Sequence, residues 1–272
     1  MSITRVSGQS TGVSDTGNLD TVYAVYPHNV TSGNLLVMGV VIAGSSAADY
    51  ATTSNFTKGA GSATLGAITQ DASYSSSDFQ LVTIFSAPVT GSGDCTMVLQ
   101  ETTTMAYASI ALQEYTGANV SVTRLDGTAV GTGTSLTPST GTVTAPSQGG
   151  AFFGGLAYNN EGPAVFVNGP GYSNIYTTSN LSYLPCSFQD HLTSSGDTSN
   201  SSWTITGITA QLYSAALAVY KATAGGVITS TYDTPYIYVG GQWQTVIGAY
   251  RYDGSAWETA KTCQEYISGT WQ

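Results

Sequence analysis

Charge is what this chain has least of. Charged residues make up 8% of its 272 positions, against about 25% in an ordinary soluble domain, and only six of them are Lys or Arg. With a formal net charge of −10, it lacks the basic footprint that a nucleic acid or an anionic membrane requires, so neither is expected as a partner. Histidine occurs only at His28 and His191, with no second His or Cys at ligand spacing, which argues against a metal centre built on either. Cys95, Cys186 and Cys263 are odd in number, far apart and without a Cys-x-x-Cys spacing. They read as reduced, buried thiols rather than as a disulfide framework or zinc site.

Long apolar runs are missing as well. The longest, Leu35 to Ala43, is about half of a membrane span, so no membrane insertion is expected. Met1-Ser-Ile-Thr-Arg5-Val-Ser-Gly8 has no apolar core of the signal-peptide kind. The expectation is a chain made and folded in a cytoplasm that reaches any outside location by another route, such as particle assembly and lysis. Disorder is excluded because 41% of the residues are apolar.

Catalytic vocabulary is sparse. No Gly-x-Ser-x-Gly elbow accompanies Asp190-His191, and there is no Asp-x-Asp-x-Asp-Gly calcium loop. Gly59-Ala-Gly61 and Gly131-Thr-Gly133 stand among Ser and Thr with no helix signal after them, and they read as turns rather than phosphate cradles. Asp190-His191 reads as a polar strand edge or loop, and Asp15, Asp94, Asp126, Asp197 and Asp253 read as turn residues. No catalytic residue, cofactor or metal ligand is assigned, and a non-enzymatic protein is expected. A glycan hydrolase ranks behind other readings, since its carboxylate pair is spatial and leaves no sequence motif.

What is present is β-forming. Asn34-Leu-Leu-Val-Met-Gly-Val-Val-Ile-Ala43 is short, rich in β-branched residues and bounded by turn residues, so a central strand is predicted. Val22–Tyr26, Phe79–Phe85, Cys95–Leu99 and Ala106–Tyr115 are predicted as further strands, the last in competition with a short helix. Residues 1–30 otherwise read as polar and turn-rich. No sustained helical stripe occurs.

The second half repeats this order. Ser147–Tyr158 aligns with Thr31–Ile42, Ser201–Thr206 with Asp94–Leu99, and Ser214–Tyr220 with Ser109–Tyr115. A duplicated strand order predicts an all-β, antiparallel β-sandwich or jelly-roll body over 1–224, with pseudo-repeats at about 1–118 and 119–224. The halves either fold alike side by side or interlock in one large sandwich. A linker is read at 225–234.

Residues 235–272 carry a second kind of repeat. Tyr238-Val-Gly-Gly-Gln-Trp243, Tyr252-Asp-Gly-Ser-Ala-Trp257 and Tyr266-Ile-Ser-Gly-Thr-Trp271 follow one another with a period of 14 residues. Small residues at the middle of each unit suit two-residue hairpin turns. Such turns place Tyr238 opposite Trp243, Tyr252 opposite Trp257 and Tyr266 opposite Trp271, pairs that contribute roughly 0.2–1 kcal/mol each. A small hairpin meander is predicted, and these six aromatics are the candidate binding or interface residues. Their first duty is to hold the hairpins together, because isolated hairpins are marginal in water.

Thr31-Ser-Gly-Asn-Leu-Leu-Val37, Phe79-Gln-Leu-Val-Thr-Ile-Phe85 and Ala108-Ser-Ile-Ala-Leu-Gln-Glu-Tyr-Thr-Gly-Ala118, with the weaker second half, resemble a β-sandwich of tailed-bacteriophage particle proteins over residues 20–222. The closing Tyr/Trp repeats resemble the short tails that end phage minor tail proteins and fibres. The resemblance implies a non-enzymatic virion structural protein, a tail fibre, minor tail component or capsid decoration protein. It implies contacts with other virion proteins and with further copies of the chain. It transfers no active-site residue. The alternative from another class is a lectin or adhesin that stacks host glycans on Tyr and Trp.

Overall fold

Leu35–Gly44 is apolar toward both of its faces because both are covered, and the body is built outward from it. The computed structural model describes residues 2–25, 29–44, 54–76, 80–145, 149–159, 164–178, 185–193 and 197–223, together with tail strand residues 236–239, 242–245, 250–252, 257–259, 266–267 and 270–271. Among the described residues there is no helix, and every ladder is antiparallel. The chain divides into two compact units, Met1–Ala224 and Gly225–Gln272.

The first half of the body contributes β1 (Thr4–Val25), β2 (Leu35–Gly44), β3 (Phe56–Lys58), β4 (Thr64–Leu65), β5 (Thr69–Ser75), β6 (Gln80–Gly91) and β7 (Thr96–Thr116). The second contributes β8 (Leu125–Ser135), β9 (Val143–Thr144), β10 (Gly150–Tyr158), β11 (Val165–Asn168), β12 (Ser173–Thr178), β13 (Cys186–Thr193), β14 (Thr198–Ser199), β15 (Trp203–Thr206) and β16 (Gln211–Lys221). One sheet runs β1-β7-β2-β6, with β4 and β5 beside β6; the other runs β8-β16-β10-β13-β12. The same order is therefore laid down twice. The register repeats with it: Leu35 pairs with Tyr115 and Gly39 with Ala111, as Ala151 pairs with Tyr220 and Gly155 with Ala216.

The halves both fold alike and interlock. Leu35, Val37 and Val41 of β2, with Val82 and Ile84 of β6, meet Ala151, Phe153 and Ala157 of β10 and Phe188 of β13 in one shared core. Residues of opposite parity face outward, where each half has its own second layer. In the first half, Leu36, Met38 and Val40 are covered by Phe56, Met97, Leu99 and Val22. In the second, Leu156 and Tyr158 are covered by Trp203 and Ile205 of the two-stranded β11–β15 sheet. Strands buried on both faces carry continuous apolar runs rather than alternation, which is why β2, β10 and β16 are so uniformly hydrophobic.

Two glycines set the spacing of the central sheets. Gly39 and Gly155 hold equivalent places in β2 and β10, and the Phe188 ring lies against both. A Cβ on Gly39 would overlap that ring, and one on Gly155 would come within 2.9 Å of it and of Val82.

Several local readings change. Cys95–Leu99, from Thr96 onward, and Ala106–Tyr115 belong to one 21-residue strand, β7, since Glu101-Thr-Thr-Thr104 between them contains no breaker. Residues 4–25, apart from the predicted Val22 segment, form a strand rather than turns because they pair along β7. Gly131-Thr-Gly133 lies within β8; a Cβ at Gly131 would overlap the Ser139 carbonyl, so glycine there admits a neighbouring segment rather than a turn. Asp15 and Asp126 likewise lie in strands, while Asp94 is a loop residue that accepts from Ser62 N at 2.7 Å. The correspondence of Ser201–Thr206 with Asp94–Leu99 shifts by one residue. Phe56 pairs with Leu99 as Phe166 pairs with Ile205, so Ile205 matches Leu99, and the inward faces then agree.

In the second unit, β17 (Tyr236–Val239) pairs with β18 (Gln242–Thr245), β19 (Tyr250–Tyr252) with β20 (Trp257–Thr259), and β21 (Tyr266–Ile267) with β22 (Thr270–Trp271). These are three separate two-stranded sheets. The linker at 225–234, the central turn residues of each unit, His28, Phe79 and Cys263 lie outside the described residues.

Candidate functional site

The six repeat aromatics fall on the ladders in pairs. Tyr238 is the partner of Trp243, Tyr252 of Trp257 and Tyr266 of Trp271. Their side chains lie outside the described residues. The structure thus brings each Tyr and Trp together by register within a hairpin.

Two polar clusters join the halves beside the shared core. In one, Arg5 of β1 donates from Nε to Asp190 Oδ2 at 2.6 Å and from a terminal nitrogen to the Asp190 carbonyl at 3.3 Å. Tyr115 of β7 donates to the same carboxylate oxygen at 2.7 Å. In the other, Arg124 donates from Nε to Ser86 Oγ at 2.7 Å and from a terminal nitrogen to the Ser86 carbonyl at 3.2 Å, with a further bond to Thr69 Oγ1. Tyr220 of β16 donates to Asp71 Oδ2 at 2.7 Å, and the Ser86 hydroxyl acts on the same carboxyl to lower its pKa.

These two clusters are one design executed twice. Val37 pairs with Ser86 and its counterpart Phe153 pairs with Asp190, so Ser86 and Asp190 occupy equivalent positions. Each receives an arginine from the other half, through the same two nitrogens. Asp190 supplies its own carboxylate, whereas Ser86 borrows that of Asp71 from the neighbouring β5. The tyrosines are equivalent as well, and each crosses to the opposite half. A pseudo-two-fold relation therefore governs chemistry as well as strand order.

Burial dominates the electrostatics. The Tyr115 and Tyr220 phenols are pushed well above their ordinary range by burial first, then by the negative charge of Asp190 and Asp71 respectively. Both remain donors. Burial raises Asp71 above the usual carboxylate range, against the opposing effect of its bonds to Ser86 and Tyr220 and the charge of Arg124. For Arg5, burial works against the charge, but the bond to Asp190 and its field carry the guanidinium upward. Removing charges from water is costly unless the remaining bonds are well made. Arg124, 5% exposed, meets that condition with neutral oxygens as well as charge.

Asp190-His191 is corrected by this geometry. It lies in β13, between β12 and β10, not at an edge or in a loop. Asp190 is fully buried toward the other half. His191 faces the opposite way, its ring packed edge-on to Tyr172 at 5.3 Å and near Phe152 at 6.0 Å. Burial lifts the Tyr172 phenol to about 12.

Further bonds knit the halves. Ser214 Oγ donates to the Gln80 carbonyl at 3.2 Å, and Tyr107 Oη lies 3.2 Å from Thr178 Oγ1 and 3.7 Å from Cys186 Sγ. Glu114, wholly buried, accepts from Thr31 N and Asn34 Nδ2, each at 2.7 Å, and so fixes the turn that starts β2. Cys95 and Cys186 are buried free thiols, both raised by burial. Among the described residues no three His, Cys, Asp or Glu side chains come together as a metal-holding group. No helix among them is long and apolar enough to cross a membrane.

The paired clusters escaped sequence reasoning because Arg5 and Asp190 are 185 residues apart. A usable signal existed nonetheless: with so few charges, an Arg or Asp beside an apolar strand is conspicuous. Compared with family models, with curated proteins and with solved structures, the chain matches none of them.

Proposed function

We propose that the chain is a non-enzymatic structural protein of a tailed-bacteriophage particle, a tail component or capsid decoration protein that acts through protein contacts. The observation that carries this reading is where the buried polar chemistry goes. Arg5, Asp190, Tyr115, Arg124, Ser86, Asp71 and Tyr220 are all engaged in fastening one half of the body to the other. That is the economy of a rigid building block. The resemblance of its strand pattern to that of phage particle proteins, with the Tyr/Trp repeats, supports the proposal further. In this reading the 1–224 body is the main module and the repeats attach it to the particle or to its own copies. Virion assembly in a host cytoplasm, followed by lysis, gives its location. Truncation after Gly225 tests the division of labour: a body that folds but no longer enters particles is the expected result. Normal incorporation of the truncated body would remove the anchor role.

One observation favours a glycan-binding alternative. Tyr23 is 60% exposed on β1, in a row with Val98 and Thr57 across the ladders, and its neighbours in that row are uncharged. Exposed aromatics with neutral polar surroundings suit sugar stacking. Glycan-array binding lost in Tyr23→Ala or Trp257→Ala, with assembly intact, would select this alternative.

A further inference from the structure

Among the described residues, the outer layer of the second half ends in an open strand. β15 is closed on one side, where Trp203 N donates to the Pro138 carbonyl at 3.0 Å and Ile205 N to the Leu136 carbonyl at 2.8 Å. On its other side it pairs with β11, and among the described residues β11 has no further ladder. Phe166 turns inward against the core beneath, while Val165 and Val167 are 56% and 54% exposed.

The duplication supplies an internal control for those valines. Because Phe166–Ile205 corresponds to Phe56–Leu99, Val165 and Val167 stand where the first half carries Asn55 and Thr57, and Asn168 stands where it carries Lys58. The fold is therefore satisfied by polar residues at these positions. Lysine on an edge strand is a common device against unwanted pairing, and β11 has lost it. It has no proline and no bulge either.

Charge identifies the occupant. Copies of a chain with net charge −10 repel one another over most approaches. Residues 136–139, 164–169 and 203–206 contain no charged side chain, so this layer can meet its own like without bringing equal charges together. An antiparallel strand edge is also self-complementary about a two-fold axis.

We infer that β11 is an interface between copies of this chain, pairing antiparallel with β11 of a second copy so that the two outer layers join and the four valines share one face. This rests on the homo-oligomeric part of the functional reading and not on a virion location. Four residues of strand fall well short of the roughly 1,000 Å² of a stable free dimer. The contact is therefore weak between free molecules and gains strength where copies are held close together.

Sedimentation of the full chain over a range up to several hundred micromolar, with hydrogen exchange on the 164–168 peptide, tests it. Reversible association with concentration-dependent protection of β11 is expected. Val167→Lys should abolish both while Thr57→Lys changes neither, and circular dichroism should show both variants folded. A wild-type chain that stays monomeric throughout overturns the inference. So does association that Val167→Lys leaves intact, which would place the contact elsewhere, or protection of β11 only in the presence of a different protein.

Discussion

Tyr115 and Asp190 are 75 residues apart in sequence and lie in opposite sheets, yet the phenol donates to the carboxylate across 2.7 Å. Tyr220 and Asp71 repeat the bond in the reverse sense at the same distance. The shared core is thus fastened twice, each time by a tyrosine from one half and an acid from the other.

Removing either phenol leaves a buried acceptor short of a donor. Tyr115→Phe and Tyr220→Phe are each expected to lower unfolding free energy by about 1–3 kcal/mol, as read from urea or guanidinium midpoints. The two bonds share no partner, but the Tyr220 phenol acts electrostatically on Tyr115, so the double variant should depart measurably from additivity. Strictly additive losses would mean that the two clusters act independently.

Arg5→Ala should cost more, because it strands a wholly buried Asp190 carboxylate. Breaking a buried pair costs about 3–5 kcal/mol; Arg5 is one-third exposed on its side chain, which places the expectation at the low end. Adding Asp190→Asn to Arg5→Ala should recover part of the loss, and denaturation of the single and double variants compares them directly.

Asp71 sets a pH dependence with a definite sign. Its carboxyl is raised above 3.8 by burial, so the folded state holds the proton more tightly than the unfolded chain. Stability contributed by the protonated form is present below that value and is lost as pH rises through the raised one. Asp71→Asn should therefore flatten the fall in stability above about pH 4, measured by thermal melts across pH. A wild-type profile identical to that of the variant would contradict the placement of Asp71.

Gly39→Ala places a methyl group against the Phe188 ring between the two central sheets. Overpacking of this kind costs about 1–3 kcal/mol or more. Pairing it with Phe188→Leu, which makes room, should recover stability relative to Gly39→Ala alone.

Much of the body was legible because its central strands are buried on both faces. Leu35–Gly44 announced itself by composition, and the alignment of Thr31–Ile42 with Ser147–Tyr158 carries the true register, down to the glycines at 39 and 155. Weaker signals failed where packing outweighs propensity. Residues 4–20 are strand only because β7 lies alongside, and Gly131-Thr-Gly133 resembles a turn until Ser139 is seen against it. The Ser201–Thr206 correspondence slipped by one because burial parity, not residue identity, fixes which positions match. The tail pairs were readable since a hairpin's register follows from its turn and aromatic spacing. The Arg–carboxylate–Tyr clusters were not, because long-range pairing leaves no local pattern.

The most direct test of a particle role is quantitative mass spectrometry of purified phage particles from the system that encodes the chain, followed by imaging to place the protein on head or tail. A virion structural protein is expected at a fixed stoichiometry to the other particle proteins in every preparation. Its absence from particles, with the protein abundant in the infected cell, would contradict that function.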